Sequence, residues 1–183
     1  MDSLRIESRY DAGRIATRVG ELASALDREF PSQRPVLVSV LKGSSFLLAD
    51  LARRMTVPLS CEFINVSRQE NSDEILQIDF ATAFPIAGRP VVLLKDVVNT
   101  GVIETYLLTQ LAAAGAAPIR LVAIVDKLPE RKTQLDVDFA LFSADRGRFV
   151  GYGMEFGGRW AHLPYIAEVS AAACAPGFVE REK

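Results

Sequence analysis

Twice along this chain a short, β-branched apolar run breaks off at a glycine-bearing turn and gives way to a helical pattern. The first is "RPVLVSVLKGSSFLLADLARRM", in which Val36 to Leu41 reads as a strand and Phe46 to Arg54 as a helix. The second is "GRPVVLLKDVVNTGVIETYLLTQLAAAGA", where Gly115 is a natural C-terminal cap. "IRLVAIVD" and "VDFALF" add two further runs that read as buried strands. Strands alternating with helices point to α/β architecture, a parallel sheet joined by right-handed crossovers. Ahead of these units, Ile15, Val19, Leu22 and Leu26 fall at helical spacing in "DAGRIATRVGELASALDREF" and predict an amphipathic helix. "PLSCEFINVS" reads as another strand, followed by a solvated loop "RQENSDE" and a hairpin strand "ILQIDFA".

Composition bounds the function. With 183 residues, 49% apolar and 24% charged, the chain fits one globular domain over 1–183, and "APGFVEREK" reads as a frayed tail. A net charge of -2 gives no general attraction to nucleic acid or an anionic membrane, so the expected ligand is small. Cys61 and Cys174 are too few and too far apart for a disulfide framework or a CxxC metal site, and they are expected to be buried packing thiols in a reduced cytosol. "MDSLRIESRYDAGR" lacks the apolar region of a secretory signal, and no run reaches the roughly 18 apolar residues of a spanning helix. A soluble, cytoplasmic protein is expected. His162, the only histidine, rules out His-pair metal sites and is expected to be structural or on the surface.

In an open parallel sheet, ligands sit beyond the carboxyl ends of the strands. Three such ends carry polar residues: "LKGSS" (Leu41 to Ser45), "KDVVNTG" (Lys95 to Gly101) and "VDKLPER" (Val125 to Arg131). Glycine and a hydroxyl just before a helix expose N–H groups and the positive helix end, which suit a phosphate. Each motif alone has a blander reading, "NTG" as a cap and turn, Lys42 and Lys127 as surface cations.

"VLLKDVVNTG" resembles the motif with which type I phosphoribosyltransferases bind phosphoribosyl pyrophosphate (PRPP): two acids, two aliphatics, then Asp-Thr-Gly. "VLVSVLKGSSFLLADLARR", "IVDKLPER" and "FVGYGMEF...LPYI" are similar, in order, to segments of bacterial hypoxanthine-guanine phosphoribosyltransferases. The similarity runs from about Val36 to Val169, between an N-terminal helical segment at 1–30 and a tail at 175–183. It implies a twisted, mainly parallel five-stranded sheet flanked by helices, with a small hood. It also implies transfer of phosphoribose from PRPP to a purine base, giving a purine nucleoside monophosphate, with Mg²⁺ accompanying the pyrophosphate. A homodimer or homotetramer is the family's usual assembly.

Carried over by position, the resemblance implies that Thr100 and Gly101 bind the 5-phosphate, while Asp96 binds the ribose hydroxyls. Leu41, Lys42 and Gly43 would offer backbone donors to pyrophosphate, often through a cis peptide. Lys127, Phe149 and Val150 fall at the base, Lys127 donating to the purine O6, and Glu155 falls near the metal. Ser67 to Gln77 falls where the family has a mobile cover.

The departures cluster in the catalytic half of the motif. Lys95 stands in place of the first acid, a change of two charge units that replaces an acceptor with a donor-only group. Asn99 occupies the general acid/base position, and an amide has no proton to exchange near neutrality; such help is typically worth about 10² to 10⁴ in rate. Ile103 replaces a threonine of the phosphate loop, Arg68 a tyrosine of the cover, and Glu155 an aspartate. Arg148 or Phe149 falls at the stacking ring, and Ala161 replaces the pyrophosphate-clamping arginine, with Arg159 two residues away. Two functions therefore stand side by side: a phosphoribosyltransferase of weakened or altered activity, and a degenerate paralogue that binds a nucleotide or PRPP as a regulator or scaffold.

Overall fold

The fold is given by a computed structural model, described here for residues 5–68, 76–80 and 85–170. In chain order the elements are β1 (Ile6–Tyr10), α1 (Ala12–Glu29), β2 (Val36–Val40), α2 (Ser45–Ala52), β3 (Ser60–Arg68), β4 (Leu76–Phe80), β5 (Val91–Val98), α3 (Val102–Ala113), β6 (Ile119–Asp126), β7 (Phe139–Ser143), β8 (Phe149–Val150) and β9 (Ile166–Val169). The main sheet has the order β4-β3-β2-β5-β6-β7. From β3 to β7 every pairing is parallel, which is the expected five-stranded sheet. The hairpin strand β4 adds a sixth, antiparallel edge strand. The chain steps from β2 to β3 on one side and returns to β5 on the other, so strand order reverses between β2 and β5. A crevice at their carboxyl ends is the consequence.

The apolar runs are continuous because both sheet faces are covered. Leu37, Leu94 and Ile124 pack with Leu22 and Leu26 of α1 and Leu47 and Leu51 of α2. The alternate residues Val38, Leu93 and Leu121 pack on the opposite face with Leu107 and Leu111 of α3. Each such side chain, fully buried, contributes roughly 1.5–3 kcal/mol. α1 buries Ile15, Val19, Leu22 and Leu26 as its spacing predicts, and the Asp11 side chain caps it by accepting from the Arg14 N–H at 2.8 Å. Gly115 follows α3 with a φ of 85°, the cap expected of it.

The hood is a second, antiparallel sheet, β1-β9-β8, with a small core of Val150, Phe156, Ala167 and Val169. Its strand β1 corrects the reading of 1–30 as helical throughout. "IESRY" is half-buried only at its two ends, so it leaves no alternating apolar pattern to read. α1 also belongs to the main core, which therefore begins well before Val36. Cys61 is exposed on β3, not buried as expected; it precedes Ile64, where the pairing with the edge strand β4 begins. Cys174, the tail and the central part of the expected cover, 69–75, lie outside the described residues. Among those residues no helix is long and apolar enough to cross a membrane.

Asp27 ties α1 to the segment after α2. Its carboxylate accepts from the Thr56 N–H at 3.0 Å, the Thr56 hydroxyl at 2.8 Å and the Val57 N–H at 3.3 Å. Burial raises its pKa, but these donors outweigh burial and hold it below the usual carboxylate value. Asp27→Ala should cost about 1 kcal/mol in urea unfolding at pH 7, a figure kept low because the group is largely solvated. Because the folded-state pKa is depressed, the gap between wild type and variant should persist above the unfolded carboxyl range and close as pH falls through the folded value.

Candidate active site

The crevice is built by three strand ends. At the end of β2, the Leu41–Lys42 peptide is cis, as the resemblance implied. The buried Ser44 hydroxyl lies 2.8 Å from the Ser39 hydroxyl and 2.9 Å from both the Val40 and Leu94 carbonyls. With one proton to donate, it serves one carbonyl at a time and joins the turn to β5 as well as β2. Between the two strands sits Gly43. A methyl group there would collide with the Asp96 carboxylate, so only glycine lets the Leu41–Gly43 turn lie against the motif acid. The hood closes on the same turn, with Gly153 packed on the Gly43 carbonyl.

At the end of β5, Lys95 turns inward rather than to solvent. Its side chain is 16% exposed, and Nζ lies 2.5 Å from Asp96 Oδ1. Glu104, in the first turn of α3, is 4% exposed and interacts electrostatically with Lys95. Burial acts to lower the Lys95 pKa, but Asp96 and Glu104 prevail and hold it above the ordinary lysine value. Burial pushes the Glu104 pKa upward, with Lys95 opposing. Beyond β5, Asn99 is exposed and Thr100 half-buried, and Gly101 turns with a φ of 81° into α3. A side chain on Gly101 would strike the Thr133 hydroxyl, because the segment after β6 is laid directly on this loop.

That segment brings the third strand end into place. The Lys127 N–H donates to the Val98 carbonyl at 2.9 Å, and the Lys132 N–H to the Thr100 carbonyl at 2.8 Å. Arg131 completes the joint: its guanidinium pairs with the Asp126 carboxylate and donates to the Asn99 carbonyl at 3.2 Å and the Leu135 carbonyl at 2.9 Å. The Lys127 side chain is no solvated loop tip. It is 8% exposed and its Nζ pairs with Glu130 at 2.8 Å.

Between these strand ends and the hood lies a cavity of about 1080 Å³. Lys95, Asp96, Asn99, Lys127, Phe149 and Glu155 are on its walls. Leu41, Lys42, Gly43, Thr100 and Gly101 are not on its walls: Gly43 lies against Asp96, and Thr100 and Gly101 follow Asn99 in the chain. Three further sequence-derived positions stand apart. Val150 is fully buried in the hood core, so its side chain has no face on the cavity. Arg159 is exposed on a turn bridged to Phe156, and Ala161 is engaged through its carbonyl by the Gly153 N–H. Neither is on the cavity wall. Phe149 presents little ring, being 6% exposed and packed in the main core. The accessible planar group is instead Arg148, whose guanidinium carbon lies 4.6 Å from the Phe156 ring centroid. His162 is exposed.

Sequence reasoning gave no role to Ser44 and Arg131, although both lie in strand-end segments it singled out, nor to Glu104 and Arg146, the last also on the cavity wall. Outside those segments Glu104 left a usable trace: it falls at helical spacing with the buried Leu107 and Leu111, where an acid needs a partner. Among the described residues no cluster of three or more His, Cys, Asp or Glu side chains could hold a metal ion.

A doubly wound sheet whose switch point opens, beneath a hood, on a cavity walled by Asp96, Asn99 and the buried Lys127 defines an α/β protein that binds a small molecule. The phosphoribosyl transferase domain profile matches residues 6–156, and the chain belongs to that family. It is 31% identical over 163 residues to the hypoxanthine-guanine phosphoribosyltransferase of Bacillus subtilis, covering 86% of this chain and 89% of that one. A crystal structure of a Bacillus anthracis hypoxanthine-guanine phosphoribosyltransferase with HEPES in the active site superimposes with a TM-score of 0.85 at 26% identity, over 91% of this chain and all of the other. A Staphylococcus aureus hypoxanthine phosphoribosyltransferase gives 0.82 at 25% identity, over 90% and 91%.

Removing Arg131 would leave the Asp126 carboxylate without its partner beside two orphaned carbonyls. Arg131→Ala should therefore destabilise the fold by about 3 kcal/mol in denaturant unfolding. Faster amide exchange confined to residues 98–101 and 126–135 should accompany it; exchange unchanged there would refute the role of Arg131 as the joint of the loop.

Proposed function

We propose that this protein transfers phosphoribose from PRPP to a purine-type base, releasing pyrophosphate, with a weaker proton-handling step than the family pattern provides. The supporting observation is one cavity at the strand ends walled by Asp96, Asn99 and Lys127, with the Gly43 turn laid against Asp96 and the Thr100–Gly101 loop continuing from Asn99. The transition state is an oxocarbenium-like sugar flanked by two anionic groups, so positioning and electrostatics dominate. In this reading the Thr100 hydroxyl and the N–H groups opening α3 hold the 5-phosphate. The Leu41–Gly43 amides hold pyrophosphate, and Lys127, with protons to spare beyond its Glu130 contact, donates to the purine O6. Phe149 backs the base pocket and Arg148 lies over the Phe156 ring beside it. Val150 can serve the base only through its backbone.

Mg²⁺ fits this donor set sparingly. It commonly binds through one or two carboxylates plus substrate phosphates, and Glu155 is the exposed carboxylate on the cavity. When bound, the ion would neutralise the leaving pyrophosphate. Asp96 has Oδ1 engaged by Lys95 and its carboxylate against Gly43, leaving it less free to grip the ribose hydroxyls. A homodimer or homotetramer belongs to the same proposal and is read out by sedimentation.

A second reading, a nucleotide- or PRPP-binding regulator, is favoured by one observation: Asn99 is on the cavity wall, where an amide can hydrogen-bond but not exchange a proton. Titration with GMP, IMP and PRPP, followed by pyrophosphate release over a panel of bases, separates the two. Binding with slow release is expected; binding with none favours the regulator, and no binding refutes both. Asn99→Asp with Ala161→Arg should raise turnover by about 10² or more if the scaffold is otherwise competent, and unchanged turnover in a folded double variant would refute that.

A further inference from the structure

Granted a phosphoribosyl ligand in this cavity, we propose that the Lys95 ammonium takes the place of a divalent cation beside Asp96, so that the ribose end of the ligand is held without a metal ion there. Lys95 is on the cavity wall, not turned out to solvent, and Nζ is in contact with Asp96 Oδ1 at 2.5 Å. Gly43 lies against the same carboxylate, and a metal ion approaching Asp96 would share it with a cation already in place. Like charges on one carboxylate repel strongly in a partly buried site.

The ammonium is not an accident of a flexible surface chain. Its countercharge is built into the fold as Glu104, an acid on the buried face of α3 whose electrostatic surroundings include Lys95 and, less strongly, Arg131. Lys95, Asp96 and Glu104 thus form one electrostatic group with Arg131 at its margin, and burial has not driven the lysine neutral. An ammonium has three donors; one meets Asp96, leaving donors for ligand oxygens where a metal would have coordinated them. Loss of the motif's first acid is thereby a change in how charge is supplied, with Glu104 as its structural counterpart.

The test is calorimetric binding of PRPP, with GMP as a second ligand, in EDTA and in millimolar Mg²⁺. Wild type, Lys95→Met and Lys95→Glu are compared after each is shown to fold by circular dichroism. PRPP should bind the wild type in EDTA, and the gain in affinity on adding Mg²⁺ should be at least about tenfold larger for Lys95→Glu than for the wild type. Lys95→Met should weaken PRPP binding in EDTA by about tenfold, which decides the matter if the glutamate variant does not fold. Equal Mg²⁺ dependence in wild type and Lys95→Glu, or undiminished binding by Lys95→Met, overturns the proposal while GMP binding leaves the phosphoribosyl reading standing. Failure of both ligands to bind the wild type under every condition overturns the two together.

Discussion

The pairing of β5 with β2 on one side and β6 on the other is the constraint from which the site follows. Parallel strands in register end on the same side of the sheet, so the residues that follow them meet there whatever their separation in the chain. Val36 opposite Val91, and Val98 opposite Asp126, set that alignment. The turn after β2, the loop after β5 and the segment after β6 are then locked to one another by short polar contacts, chiefly those of Ser44 and Arg131. Hydrophobic burial on both faces supplies the stability, and these buried polar links supply the geometry.

The charge arrangement at the end of β5 distinguishes this chain from the motif it resembles. A lysine in place of an acid would be costly if it faced apolar surroundings. Here it is met by Asp96 in contact and by Glu104 nearby, and it remains an ammonium. The change at Lys95 is therefore internally compensated, and the cavity keeps its buried Lys127. The clamp position differs. Ala161 offers only backbone and Arg159 is on an exposed turn, so neither brings a guanidinium to the cavity wall; among the described residues Arg146 and Arg148 enter from the β7–β8 connection instead.

Much of the fold was legible because continuous apolar runs and helical spacing survive without context: Ile119–Asp126 emerges with the boundaries read from "IRLVAIVD", and α1 and α3 differ by little from their patterns. β1 was not legible, since "IESRY" owes its strand state to β9, 160 residues away, and not to its own composition. The site was legible where a motif carries its own local geometry, as in Thr100–Gly101 or the Leu41–Gly43 turn. It was not legible where a role depends on who the neighbour is: Arg131 reads as one more loop cation until Asp126 and the Asn99 carbonyl are found around it.

Sequence by itself determined the α/β class, the three strand ends that carry polar residues, and the chemical identity of each departure, because periodicity and residue type are local properties. Tertiary structure alone decided that Lys95 turns inward to Asp96 and Glu104, that Val150 packs away and Phe149 keeps little ring on the cavity while Arg148 lies on Phe156, and that Arg159 stays outside the cavity. Those outcomes depend on the through-space field and packing of residues distant in the chain, and no pattern of spacing encodes which of several competing partners a flexible side chain will meet.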